Sequence, residues 1–267
     1  MDRTITGTIE LRHAPPSSFS TGSRELVVYL PPDYRKAAKR RYPVLYLQDG
    51  QNLFDPATAF QGNDWGLGSL ADELILSGKL SSLIIVGIYN SGENRLAEYT
   101  HVRDRAGRGG RANRYGRFLV EDIKPFIDKQ YRTLPDSANT GLGGSSLGGL
   151  VTIYLGLKYP DLFGKLLVMS PSVWWANRAI LKKVRAIRRK VSQRIWLDIG
   201  TAEDQNPQPT VDDTIQLRDA LIDKGWQVGK DLAFVCEVGG THNEKAWGRR
   251  MRDALPFLFP TSISPSG

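Results

Sequence analysis

The sequence predicts an α/β protein with a mostly parallel central sheet flanked by helices. Short apolar runs without polar alternation recur along the chain, as in Val44-Leu45-Tyr46-Leu47 and Leu166-Leu167-Val168-Met169. Such runs mark strands buried on both faces. Stretches with helical spacing of apolar residues separate them. The runs end in Gly-, Ser- and Asp-containing turns, which would gather at one edge of such a sheet.

Taken in order, Thr8-Ile9-Glu10-Leu11 and residues 24–30 read as strands separated by a Pro/Ser-rich turn. Pro31-Pro32-Asp33 ends the second, and a basic loop precedes the buried strand at 44–47. Residues 65–76 read as a helix, and 83–88 as another buried strand. Residues 89–115 are polar and irregular, longer than a plain connection needs, so a mobile or functional loop is expected. Residues 118–130 have helical spacing, with Pro125 starting or kinking part of the helix. A strand at 139–143 leads into a glycine-rich turn and an apolar helix that stops near Tyr159-Pro160. Strands then end at Ser170 and Gly200, with a basic helix at 177–190 between them. A helix at 211–224 is capped by Gly225, and the last strand ends at Gly239-Gly240 before a final helix from about 244 to 259. No repeat or interdomain linker is visible, so residues 1–267 are expected to form one catalytic domain.

Composition narrows the classes. The chain is 267 residues long and 40% hydrophobic, enough for a sizeable core. One cysteine, Cys236, rules out an internal disulfide. Residues 1–11 alternate polar and apolar and do not read as a signal peptide, and no apolar run spans a membrane. The expectation is a soluble, cytoplasmic protein. Net charge is +8, concentrated at residues 103–117 and 182–194. The first is short and lies between ordered elements, the second overlaps the basic helix, and both read as solvated surface, so no nucleic-acid partner is expected.

The glycine-rich turn is Gly141-Leu142-Gly143-Gly144-Ser145-Ser146-Leu147-Gly148-Gly149. Gly144 to Gly148 fits G-x-S-x-G between strand and helix, the pattern of a nucleophile elbow. Only Ser146 has glycine at both flanking positions; for Ser145 the second position is Leu147. The turn lacks the lysine of a phosphate loop and gives no G-x-G-x-x-G register.

A serine hydroxyl needs a base. Of the histidines His13, His101 and His242, only His242 follows the last strand. The base needs a carboxylate between 146 and 242 at a strand end, which leaves Glu203 and Asp204; Glu203 is favoured for its reach. Asp198 lies within its strand and is set aside. Candidate oxyanion donors are the backbone amides of Leu147, after the nucleophile, and Gln51, after the strand at 44–47.

With these residues in this order, the chain resembles the α/β-hydrolase branch that holds trilactone siderophore esterases, feruloyl and acetylxylan esterases, S-formylglutathione hydrolases and mycolyltransferases. The marks are Gln48-Asp49-Gly50-Gln51, Tyr131-Arg132-Thr133, Gly144-Ser145-Ser146-Leu147-Gly148-Gly149, Tyr159-Pro160-Asp161-Leu162-Phe163, Ser170-Pro171-Ser172 and Gly200-Thr201-Ala202-Glu203. The resemblance implies an α/β-hydrolase fold and a serine esterase that needs no metal or cofactor. It also implies an acid three residues after the strand-end glycine, Glu203, and an oxyanion amide after Asp-Gly, Gln51. The short segment between Pro171 and Gln193 leaves no room for a large lid domain.

The expected substrate is a small aryl, sugar or siderophore-type ester. Trp65, Trp174, Trp175 and Trp247 are candidate aromatic walls, whereas Trp196 lies in a strand and reads as core. Arg95 and Glu98 are candidates for binding a carboxylate or catecholate, with a solvated ion pair as the alternative. Arg95 and the basic stretch at 103–117 suggest a cleft that attracts anions. Acyl transfer in the same fold and a non-catalytic binding protein are the alternatives to hydrolysis.

Overall fold

The computed structural model describes residues 5–20 and 22–261. Residues 1–4, part of the stretch read above for a signal peptide, lie outside the described residues. The strands are β1 (Thr8–His13), β2 (Glu25–Leu30), β3 (Val44–Gln48), β4 (Ile84–Ile88), β5 (Thr140–Ser145), β6 (Lys165–Met169), β7 (Arg194–Gly200) and β8 (Leu232–Glu237). They form one sheet in the order β1-β2-β4-β3-β5-β6-β7-β8. β2 pairs antiparallel with β1 and β4, and every other pairing is parallel.

The apolar runs are explained by what lies on each face. Successive residues of a strand point to opposite faces. Val44 and Tyr46 join one core cluster, Leu45 and Leu47 the other, and all four are buried. The helices are α1 (Leu67–Leu76), α2 (Arg95–Glu98), α3 (Ala112–Arg117), α4 (Lys124–Gln130), α5 (Leu147–Lys158), α6 (Trp175–Arg185), α7 (Gln208–Asp223) and α8 (Glu244–Leu258). α1 and α8 bury Leu67, Leu74, Met251 and Leu255 in one cluster; α5, α6 and α7 bury Ile153, Ile180 and Leu217 in the other. The fold is that of the α/β-hydrolases, and the connection between β6 and β7 holds α6 and no large lid domain.

Residues 89–115 are more ordered than their polarity suggested. Tyr99 and Tyr115 are wholly buried, with ring centroids 5.4 Å apart, and α2 and α3 form around them. α3 runs through a π-helical turn (Phe118–Ile123) into α4, where Pro125, which has no N–H to donate, follows closely on that turn. Three arginines of residues 103–117 are engaged: Arg108 pairs with Asp104, Arg117 with Glu121, and Arg114 donates to the carbonyls of Ser18 and Phe19. Among the described residues no helix is long and apolar enough to cross a membrane.

Candidate active site

β5 is in the middle of the sheet, and its end turns sharply into α5. Ser146 occupies that turn with φ 59° and ψ −123°, a conformation that L-residues rarely adopt. The flanking glycines let the turn sit against β3. A Cβ on Gly144 would lie 2.9 Å from the Gln48 side chain, and one on Gly148 3.1 Å from it. The Ser146 amide donates to Met169 O at 3.0 Å, and its Oγ lies 3.4 Å from the Ser172 Oγ.

His242 follows β8. Its Nδ1 is 2.8 Å from Glu203 Oε2, and the Glu203 side chain is almost entirely buried. Asp204 turns away, accepting from the Asn206 amide and the Thr210 hydroxyl. Glu203 Oε1 accepts the Gly200 amide at 2.8 Å and the Ser170 hydroxyl. Burial pushes the Glu203 carboxyl up, but bonds from His242, Ser170 and Gly200 outweigh it and hold the group below the usual range.

Ser146 and His242 line one cavity of about 300 Å³ with Asp49, Gln51, Asn52, Phe60 and Asn90. Arg95, Ser145, Glu244 and Trp247 complete its wall. A family model described as "Putative esterase" matches residues 17–258.

The chain belongs to this esterase family.

It is 28% identical over 254 residues to an endo-1,4-beta-xylanase/feruloyl esterase of Xylanibacter ruminicola, covering 91% of this chain and 30% of that longer one. It is 28% identical over 188 residues to the ferri-bacillibactin esterase BesA of Bacillus subtilis, covering 61% and 60% of the two chains. A solved ferulic acid esterase superposes with a TM-score of 0.73 at 21% identity, covering 95% of this chain and 98% of the other. The protein is a carboxylic ester hydrolase.

The esterase brings only some of the expected substrate residues to the cavity. Arg95 and Trp247 line it; Trp65, Trp174 and Trp175 do not. Trp65 is buried, its ring centroid 6.2 Å from that of Trp247. Trp175 is buried with its Nε1 donating to Val102 O at 2.9 Å. Trp174 is 53% exposed but off the cavity wall. Their position after a strand end was visible in the sequence; the direction of each ring was not. Trp196 is core, as expected.

Two electrostatic expectations are corrected. Arg95 is not a free cation. It forms a bidentate pair with Asp49, Nε to Oδ1 and Nη2 to Oδ2 both 2.7 Å, and Asn90 donates to the same carboxylate at 2.8 Å. Burial opposes the guanidinium charge, but Asp49 more than offsets it and keeps Arg95 protonated. Glu98 pairs instead with Arg24 at 2.8 Å and accepts from Ser91. No residue of the stretch 103–117 lines the cavity. The other histidines are elsewhere: His13 lies on the edge strand β1, and His101 stacks on Tyr154, its pKa lowered to about 4 by burial.

Around the acid stand two residues to which the sequence assigned no role, Asp198 and Arg250, joined by Trp247. Asp198, fully buried, accepts from Trp196 Nε1 at 2.7 Å and meets Arg250 Nη1 at 3.0 Å. Arg250, also buried, donates to Ser170 Oγ at 3.1 Å and lies 3.6 Å from Glu203 Oε1 and 3.5 Å from Glu237 Oε2. Trp247 Nε1 adds a bond to Ser170 Oγ at 3.0 Å. Burial pushes the Asp198 carboxyl up to about 6, against the pull of Arg250. Phe60, 63% exposed on the cavity wall, was missed because nothing in its neighbourhood of sequence resembles a strand end.

Proposed function

We propose that the protein hydrolyses esters through Ser146, His242 and Glu203. Ser146 Oγ attacks the ester carbonyl while His242 takes its proton; the alcohol then leaves with that proton, and water, activated by the same histidine, releases the acid from the acyl-serine. Glu203 accepts from Nδ1–H, which presents the other ring nitrogen to the serine and stabilises the imidazolium. The observation that carries this reading is the 2.8 Å contact between Glu203 and His242, with His242 sharing a cavity with a serine at φ 59°.

The proposed oxyanion donors are the amides of Leu147, first residue of α5, and Gln51, inside the single 3-10 turn Gly50–Asn52. Amides at a helix start have no intrahelical acceptor and are available to a developing oxyanion. Trp247 and Phe60 offer aromatic surface for an aryl or sugar group. The relatives' names, feruloyl and ferri-bacillibactin esterase, agree with an aryl, sugar or siderophore-type ester. We take the chain as one catalytic domain.

The test is covalent labelling. A fluorophosphonate probe followed by peptide mapping is expected to place the label on Ser146 in active protein; a label on Ser145, or none while ester turnover persists, overturns the assignment.

A further inference from the structure

Besides His242, the charged side chains on the cavity wall are Asp49, Arg95 and Glu244. Arg95 and Asp49 cancel in charge, since one edge of the guanidinium, Nε and Nη2, pairs with the two carboxylate oxygens. Glu244 remains. Its Oε1 accepts from Asn52 Nδ2 at 3.1 Å, and among the described residues it has no ion-pair partner. It stands at the start of α8, where the helix dipole favours a carboxylate, although burial, with a further push from Asp49, raises its carboxyl above the usual range against the pull of His242 and Arg95. The cavity therefore carries a negative charge inside a protein whose net charge is +8. Salt screens the surface arginines over roughly 8–10 Å, so at the reacting carbonyl the near carboxylate outweighs the distant cations.

Resting on the catalytic assignment above, we infer that this esterase selects an uncharged ester over an anionic one, and that Glu244, with Asp49 neutralising Arg95, sets the preference. An anionic acyl or alcohol group would meet the Glu244 carboxylate without a free cation to offset it. A neutral group bearing hydroxyls finds acceptors in Glu244 and donors and acceptors in Gln51, Asn52 and Asn90. The chemistry favours neutral feruloyl- or acetyl-sugar-type esters over ferric catecholate complexes, which carry negative charge.

The experiment uses two 4-nitrophenyl esters of equal length, the monoester of adipic acid and its terminal amide, in which the far end is too remote to attack its own ester. We expect wild-type kcat/KM to favour the amide by about tenfold at low salt, with the ratio falling as salt screens the repulsion. Glu244→Gln should shrink the ratio several-fold. Asp49→Asn should also shrink it by releasing Arg95, and asparagine tolerates the φ of 55° found at Asp49. Wild-type preference for the adipate, equal use of both esters, or a ratio that neither variant moves would overturn the inference. Ser146→Ala separates the two levels. If it retains turnover, the catalytic assignment fails whatever the ratio; if turnover is lost and the wild-type ratio is flat, only the selectivity fails.

Discussion

Asp198 and Arg250 meet at 3.0 Å in the interior, behind the carboxylate that contacts His242. The guanidinium also lies 3.6 Å from Glu203, so one cation serves two buried carboxylates. Without it the two would compete for a proton, and Glu203 would lose part of the charge that His242 needs. Arg250→Met is expected to lower kcat by roughly ten- to a hundredfold and to destabilise the fold by about 3–5 kcal/mol. Adding Asp198→Asn to that variant removes the orphaned carboxylate and should restore much of both. Melting curves and kcat of the two variants decide it: a double variant no better than Arg250→Met would reduce Arg250 to a packing role.

Replacing the nucleophile has the largest effect. Ser146→Ala should lose at least about 10⁴-fold in kcat, because the covalent route disappears. Ser145→Ala should lose far less, since the last residue of β5 does not occupy the strained turn. Steady-state rates on a short acyl ester compare them directly.

The acid is separable from its neighbour. Glu203→Gln should cost about 10²- to 10⁴-fold, by removing the charge partner of His242 and disturbing its tautomer. Asp204→Asn should stay within a few-fold, because Asp204 caps a local turn. The reverse ranking would move the acid by one residue.

Asp198 also leaves a mark on stability. Its folded pKa, about 6, lies above the unfolded value, so the folded state binds the proton more tightly. That stabilising contribution is complete below the unfolded pKa and is lost as pH rises through about 6. Asp198→Asn removes this dependence, so its Tm relative to wild type should rise between about pH 4 and pH 7.5. Glu203 has the opposite sign. Its lowered folded pKa gives stability above the unfolded value that is lost as pH falls, so Glu203→Gln should lose Tm relative to wild type at neutral pH and recover it in acid. Parallel Tm curves for wild type and Asp198→Asn would rule out the burial effect.

The elbow itself can be probed by size. Gly144→Ala places a methyl 2.9 Å from the Gln48 side chain, where there is no room for it. A cost of about 1–3 kcal/mol is expected, with a disproportionate loss of kcat as the serine shifts. Unchanged kcat in a destabilised variant would show that Ser146 holds its position without that contact.

Much of this was legible from local pattern alone. Ser146, Glu203 and His242 each sit where a strand ends, and strand ends are readable as apolar runs stopped by glycine. The same logic reached Gln51 and Trp247, which the fold brings to the cavity. It failed where the decisive partner is remote. Asp49 and Arg95 lie 46 residues apart, with α1 and β4 between them, so no local pattern points to Asp49 as the partner of Arg95. Arg250 reads in sequence as one polar residue among several on the last helix; only the packing of α8 against β6 and β7 shows that it points inward. Trp65 and Trp175 failed for a simpler reason: a position near a strand end does not say which way the ring turns.

Among the described residues β8 closes one side of the sheet and has a single neighbouring strand, β7. The histidine that follows it therefore hangs from the least shared row of backbone hydrogen bonds, whereas the serine follows a strand paired on both sides. Such an edge opens at lower free energy than the centre. Warming should thus disconnect the base from the nucleophile before the molecule as a whole melts. Inactivation would then run ahead of the unfolding transition, be reversible on cooling, and coincide with faster amide exchange confined to β8 and the loop after it.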